Sequence, residues 1–192
     1  DMKPAAVVHT GDFFHRSTPG NRPMIVALSR LRKLADAKIP VIVIAGNHST
    51  PRTAVTSPIL EAFRSIPGVS PIFSQRYERV VLDGVTFHGV PHAHEESRFG
   101  EELARVEPDA DSINVLMLHT SLGKRYLMEE YGERVFPDGR MDMLSRFEYV
   151  ALGHWHGFQK AHGADNAWYS GATERMNDGE AGKERGFCTV KL

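Results

Sequence analysis

Four apolar runs in this chain each lead into a polar residue able to bind a metal or carry a proton, and this recurrence limits the fold severely. Ala5-Ala6-Val7-Val8 leads to Gly11-Asp12, and Val41-Ile42-Val43-Ile44 leads to Gly46-Asn47-His48. Ile113-Asn114-Val115-Leu116-Met117-Leu118 ends at His119, and Tyr149-Val150-Ala151-Leu152 runs into Gly153-His154-Trp155-His156. Short apolar runs of this kind suit buried strands. A fold that buries all four would collect their polar ends.

The intervening segments support alternation of strand and helix. Residues 5–9 and 41–45 read as buried strands. Between them, residues 23–37 carry Ile25, Leu28, Leu31 and Leu34 at the spacing of one helical face. Residues 58–66 read as a short helix, and strands joined by helices imply a parallel core. Residues 79–82 and 85–88, separated by Asp83-Gly84, form a hairpin pattern with a two-residue turn. Residues 97–106 read as a helix, 113–118 as a strand, and 123–137 as a partly helical surface excursion. Residues 147–152 return to the core, followed by short strands around 158–161, 167–170 and 187–192. Residues 177–185, rich in glycine and charge, read as a mobile turn. The expected class is α/β: one domain over residues 1–192, built as a sandwich of two mixed β-sheets flanked by helices.

Composition excludes several alternatives. Lys plus Arg number 23 against 24 for Asp plus Glu, so no strong overall field draws the chain to nucleic acid or membrane. Local patches can still contact phosphates. No stretch approaches the roughly 18–20 apolar residues needed to cross a bilayer, and no membrane partner is expected. The single cysteine, Cys188, excludes an internal disulfide framework and suits a reducing, cytoplasmic compartment.

The clustered polar residues then indicate chemistry. Asp12 can bridge two cations with its two oxygens, Asn47 offers an amide oxygen, and His119, His154 and His156 offer imidazole nitrogens. Along an extended backbone His154 and His156 would point to one side. Oxygen and nitrogen donors without thiolate suit manganese, iron or zinc. Two such ions about 3.5–4 Å apart can hold a phosphoester and stabilise both attacking and leaving oxygens. His48, beside Asn47, would protonate the departing oxygen. Singly, Asp12 reads as a cap, Asn47 as a turn residue and His119 as an ordinary strand-end histidine. Only the combination points to a phosphoester hydrolase. His92-Ala93-His94 copies the ligand spacing, but Pro91 and Glu95-Glu96 mark it as a surface turn. His9 and His88 read as structural, and Trp155 as packing.

Together, Gly11-Asp12, Gly46-Asn47-His48, His119 and Gly153-His154-Trp155-His156 resemble the successive signatures of the calcineurin-like metallophosphoesterase superfamily. The resemblance implies that Asp12 bridges two divalent metals, manganese first with iron, zinc or magnesium as alternatives. It implies that Asn47, His119 and His154 complete one site, that His156 serves the other, and that His48 is the acid. The segment from Gly11 to Pro19, and Tyr169 to Arg175 with Gly186-Phe187, are similar to the Mre11/SbcD DNA-repair nucleases. That branch implies a role for His15 at the scissile phosphate. It also implies manganese-dependent cleavage of DNA by a homodimer working with a Rad50/SbcC-type ATPase. Two departures stand out. The family's opening Asp-x-His has no match before Asp12, so either the start of the protein lies outside this chain or one metal site is incomplete. Ser49 stands where the family has an acid that buttresses the histidine, and a serine supplies a hydrogen bond but no charge. The chain also ends without room for the branch's cap or ATPase-binding segment. The alternatives are a phosphodiesterase or phosphatase for a nucleotide or other small phosphoester, and a non-catalytic module with the same fold.

Overall fold

Alternation along the buried strands sorts the interior into layers. In the computed structural model, which describes residues 3–53, 55–123, 134–182 and 184–192, Val41, Val43 and Ala45 join one hydrophobic cluster while Ile42 and Ile44 join another. Strand β6 (Ile113–His119) does the same, with Leu116 and Leu118 on one side and Val115 and Met117 on the other. Period-two alternation places successive side chains on opposite sheet faces, so both strands are covered on both sides.

Strands β1 (Val7–His9), β2 (Val41–Ile44) and β3 (Val69–Ile72) form a parallel sheet in that order. The second sheet is mixed. It comprises β4 (Glu78–Leu82), β5 (Val85–Val90), β6, β7 (Tyr149–Gly153), β8 (Gln159–Lys160) and β9 (Ala167–Tyr169). Its order is β4-β5-β6-β7-β9-β8, with β5, β6, β7 and β9 parallel and the outer strands antiparallel. Ile42, Ile44 and Ile72 from the first sheet meet Phe87, Val115, Met117 and Ala151 from the second. Each fully buried aliphatic side chain there contributes about 1.5–3 kcal/mol.

Helices close the two outer faces. Helix α1 (Asn21–Asp36) buries Ala27 and Leu31 against the parallel sheet, alongside Leu60 and Phe63 of the 3-10 helix Ile59–Ser65. Helix α2 (Glu96–Ala104) covers the mixed sheet with Phe99 and Leu103, and the 3-10 helix Asp138–Arg146 adds Leu144. This is the expected two-sheet sandwich flanked by helices. The β4–β5 hairpin turns through Asp83 and Gly84, both at positive φ (47° and 80°), as a two-residue hairpin turn requires.

Several local expectations fail. Strand β3 escapes the hydropathy pattern because Ser70 and Pro71 interrupt it. Proline is tolerated there because β3 lies at an edge of its sheet. Residues 187–192, expected as a strand, form no ladder with the described residues. His92, expected in a surface turn, is buried, and its backbone N–H donates to the Ala45 carbonyl at 2.9 Å. Most of the excursion expected at 123–137 lies outside the described residues, although Phe136 at its end is fully buried.

Candidate metal centre

The layering aims His119 at the place where the two sheets end together. Its parity along β6 matches Val115 and Met117, so its ring turns toward the parallel sheet rather than the helix side. There the His119 Nδ1–H donates to the Thr10 carbonyl at 2.7 Å. That bond commits one nitrogen and leaves Nε2 as the other donor atom. Nε2 lies 2.9 Å from Asn47 Oδ1 and 3.2 Å from Asp12 Oδ2. Three lone-pair-bearing atoms so close repel one another unless a proton or a cation lies among them.

The electrostatics carry the same signature. Burial disfavours charge on His119, yet the Asp12 carboxylate and its hydrogen bond outweigh that, and the imidazole pKa is raised. Burial likewise pushes Asp12 upward, but His119 and His48 hold its carboxyl well below the usual carboxylate range. An aspartate, an amide oxygen and an imidazole converging in this way fit a hard or borderline divalent cation. Among the described residues no three His, Cys, Asp or Glu side chains form such a group. The cluster here consists of two of those types plus the Asn47 amide.

Backbone geometry makes this convergence possible. Gly11 and Asp12 both adopt positive φ (103° and 51°), so the chain turns sharply after β1 and returns the carboxylate over the sheet end. Gly153, opposite His119 in the β6–β7 register, admits no side chain. A Cβ there would overlap the Thr10 carbonyl oxygen, the acceptor that orients His119.

The histidine pair does not follow the expected strand alternation. Strand β7 stops at Gly153, and His154 takes φ 97°, outside the extended region. The two side chains therefore diverge in their contacts. The His154 ring lies edge-on to His119, with centroids 5.4 Å apart. The Nδ1–H of His156 instead donates to Glu180 Oε1 at 2.7 Å. Glu180 also accepts the Met176 N–H at 2.9 Å and lies 2.6 Å from Arg185. These partners, Met176 and His156 foremost, lower its pKa to about 2. Residues 177–185 thus hold a buried ion pair where a mobile turn was expected. Trp155 packs against the core as anticipated, its indole N–H donating to Ser121 Oγ at 2.9 Å.

His48 stands at the rim. Its backbone N–H donates to Asp12 Oδ1 at 2.9 Å, and its Nδ1–H donates to the His15 carbonyl at 2.9 Å. Nε2 therefore faces Asp12 Oδ2 at 4.0 Å. The His15 ring stacks on it, with centroids 5.1 Å apart. Ser49 does not serve His48; its buried hydroxyl accepts the Gly46 N–H at 3.0 Å. A backbone carbonyl holds the imidazole instead of an acid. His15, Arg16, Thr18, Asn47, His48 and Arg52 help line an open cavity of about 480 Å³. A second cavity of about 650 Å³, lined by Phe158, Trp168 and Phe187 among others, contains none of the expected site residues.

The supporting atoms of Thr10, His15, Glu180 and Arg185 were not legible as site components. Two are backbone carbonyls, which carry no sequence signal, and Glu180 lies 24 residues beyond its histidine.

The chain is similar to known proteins over most of its length. The family model described as calcineurin-like phosphoesterase matches residues 1–158. The DNA double-strand break repair protein Mre11 of Sulfurisphaera tokodaii is 36% identical over 155 residues, 78% of this chain and 38% of that protein. The protein of the same name from Haloferax volcanii is 32% identical over 190 residues, 97% of this chain and 40% of the relative. That from Thermoplasma acidophilum is 29% identical over 183 residues, 91% and 46% of the two. The chain thus spans less than half the length of each of these relatives.

Proposed function

The chain belongs to the calcineurin-like phosphoesterase family, and on that premise we propose that it is the phosphodiesterase domain of a DNA-repair nuclease of the Mre11 type, residues 1–192 forming a single domain. The observation that carries this reading is the convergence of His119 Nε2 on Asp12 and Asn47. Asp12, Asn47, His119 and His154 would hold one divalent cation, and Asp12 with His156 would contribute to a second; manganese is the first choice. Such a pair would supply the activated water and the positive charge that phosphodiester hydrolysis requires.

The protein's own residues then have distinct tasks. The Thr10 carbonyl orients His119, and the His15 carbonyl fixes His48 with Nε2 toward the site. A proton carried on that nitrogen would pass to the departing oxygen. The His15 ring, stacked on His48 at the cavity, would touch the scissile phosphate. Arg16 and Arg52 beside it offer charge to a polyanionic strand. The relatives' name supports DNA as substrate and, through the resemblance, a Rad50/SbcC-type ATPase as partner. Exposed Ile25 and Val26 on α1 support a homodimer, because a partner copy would cover them. No helix among the described residues is long and apolar enough to cross a membrane. The single cysteine suits a reducing compartment, and on that ground we place the protein in the cytoplasm.

The test is a manganese- or magnesium-dependent assay of the full-length gene product on duplex DNA, single-stranded DNA and a bis-aryl phosphodiester. DNA cleavage supports the proposal. Turnover of the small diester alone would favour the small-phosphoester reading, for which the net charge of −1 speaks. No turnover of any substrate, with parent and Asp12→Asn alike, would leave only a binding module.

A further inference from the structure

We infer that Glu180, braced by Arg185, is a positioning residue that fixes the His156 ring with Nε2 as its metal-binding nitrogen. This rests on the proposed role of His156. His156 lies three residues beyond the end of β7, where no sheet ladder sets the direction of its side chain. Its ring is 48% exposed, so packing alone leaves it free to rotate. Three contacts remove that freedom. The His156 carbonyl accepts the Ala172 N–H at 3.1 Å and a second bond from Arg185. The ring Nδ1–H donates to Glu180 Oε1 at 2.7 Å.

Glu180 is itself immobilised. Its other oxygen accepts the Met176 N–H at 2.9 Å and pairs with Arg185 at 2.6 Å, and both side chains of that pair are under 10% exposed. Arg185 therefore ties the carboxylate that holds the ring to the carbonyl of the same histidine, so backbone and imidazole are set as one unit. A carboxylate on Nδ1–H selects the tautomer whose lone pair is on Nε2. His119 obtains the same tautomer from a backbone carbonyl. His156 uses instead a side chain brought from 24 residues away.

The experiment uses full-length protein with 15N-labelled histidine. Long-range proton–nitrogen correlation reads the His156 tautomer, assigned by loss of its signal in His156→Ala. Titration with Mn²⁺ alone, followed by electron paramagnetic resonance, resolves the tighter and weaker binding steps. We expect His156 in the Nδ1–H form in the parent. Glu180→Ala should mix the tautomers and weaken by about 10–100-fold the step that His156→Ala also weakens, while leaving the other unchanged. Glu180→Gln, whose amide oxygen still accepts the Nδ1–H, should keep the tautomer and lose less affinity. Unchanged tautomer and affinity in both variants would overturn the inference, as would equal weakening of both steps, which marks simple loop stapling. If His156→Ala leaves both steps intact, the ligand role of His156 falls and the inference with it. If His156→Ala weakens one step but Glu180→Ala does not weaken that step, only the inference falls.

Discussion

His119 and His156 are both proposed as imidazole ligands of one metal centre, yet unlike structures hold them. His119 ends a central strand, is almost wholly buried, and takes its direction from sheet parity and from a carbonyl two residues before Asp12. His156 lies past the end of its strand, is half-exposed, and is held by a buried carboxylate from a turn near the chain's end. Both arrangements commit Nδ1 and present Nε2. One tautomer can thus be set by rigid backbone in a core or by a charged clamp at a rim, and the two differ in what disturbs them.

The largest effect should come from the strand-end half. Asp12→Asn removes the charge facing both His119 and His48, and we expect Mn²⁺ binding and turnover to fall to background in titration and nuclease assays. His48→Ala should lower turnover by about 10²–10⁴-fold, the usual loss for a general acid. Its Mn²⁺ binding should match the parent, since the Asp12, Asn47 and His119 cluster is untouched. Parental turnover in this variant would remove His48 from the chemistry.

Glycine substitutions separate the two halves by stability. Gly153→Ala drives a methyl group into the Thr10 carbonyl and should cost about 3 kcal/mol by urea unfolding. Gly157→Ala, where nothing lies within 4 Å, should change stability by less than about 0.5 kcal/mol. Equal effects would show that the strand-end half is no more tightly packed than the rim.

Acid should loosen the halves in sequence. Burial above all lowers the His9 pKa to about 4 and the His92 pKa to about 3, from 6.5. Below pH 6.5 the unfolded chain binds protons that the folded one refuses. Stability present above pH 6.5 is therefore lost as pH falls toward 3, by about 3–5 kcal/mol per histidine. Glu180, lowered from 4.5 to about 2, contributes stability present above pH 4.5 and lost as pH falls toward 2. Urea midpoints of the parent and His92→Gln across this range check the order; the variant should lose less between pH 6.5 and 4. Smallest of all, Ser49→Ala removes the hydroxyl partner of the Gly46 N–H and should cost about 1 kcal/mol with little change in the pH dependence of turnover. A large shift in that dependence would mean that Ser49, rather than the His15 carbonyl, controls His48.

Much of the first half of the centre was legible. The apolar runs before Gly11-Asp12, Gly46-Asn47-His48 and His119 are strands β1, β2 and β6, and their polar ends do meet. Local pattern sufficed because strand parity and turn-forming residues are short-range properties. It failed where a short-range rule stopped applying. Alternation was extended past Gly153, but the positive φ of His154 ended it there. Glycine and charge at 177–185 suggested mobility, because composition does not reveal that Glu180 and Arg185 find each other and His156. The Pro91 turn looked exposed, yet His92 is buried, its N–H tied to the Ala45 carbonyl beyond β2.

The amino-acid order alone thus determined the layered α/β sandwich, the hairpin and the identities of the residues gathered at the sheet ends. Periodicity and turn chemistry act over a few residues and leave a readable trace. Tertiary structure decided which ring nitrogen of His48, His119 and His156 is committed and what holds it there. Those outcomes depend on carbonyls and carboxylates brought from 24 to 109 residues away along the chain. Contacts at such separations form only when the whole sandwich closes.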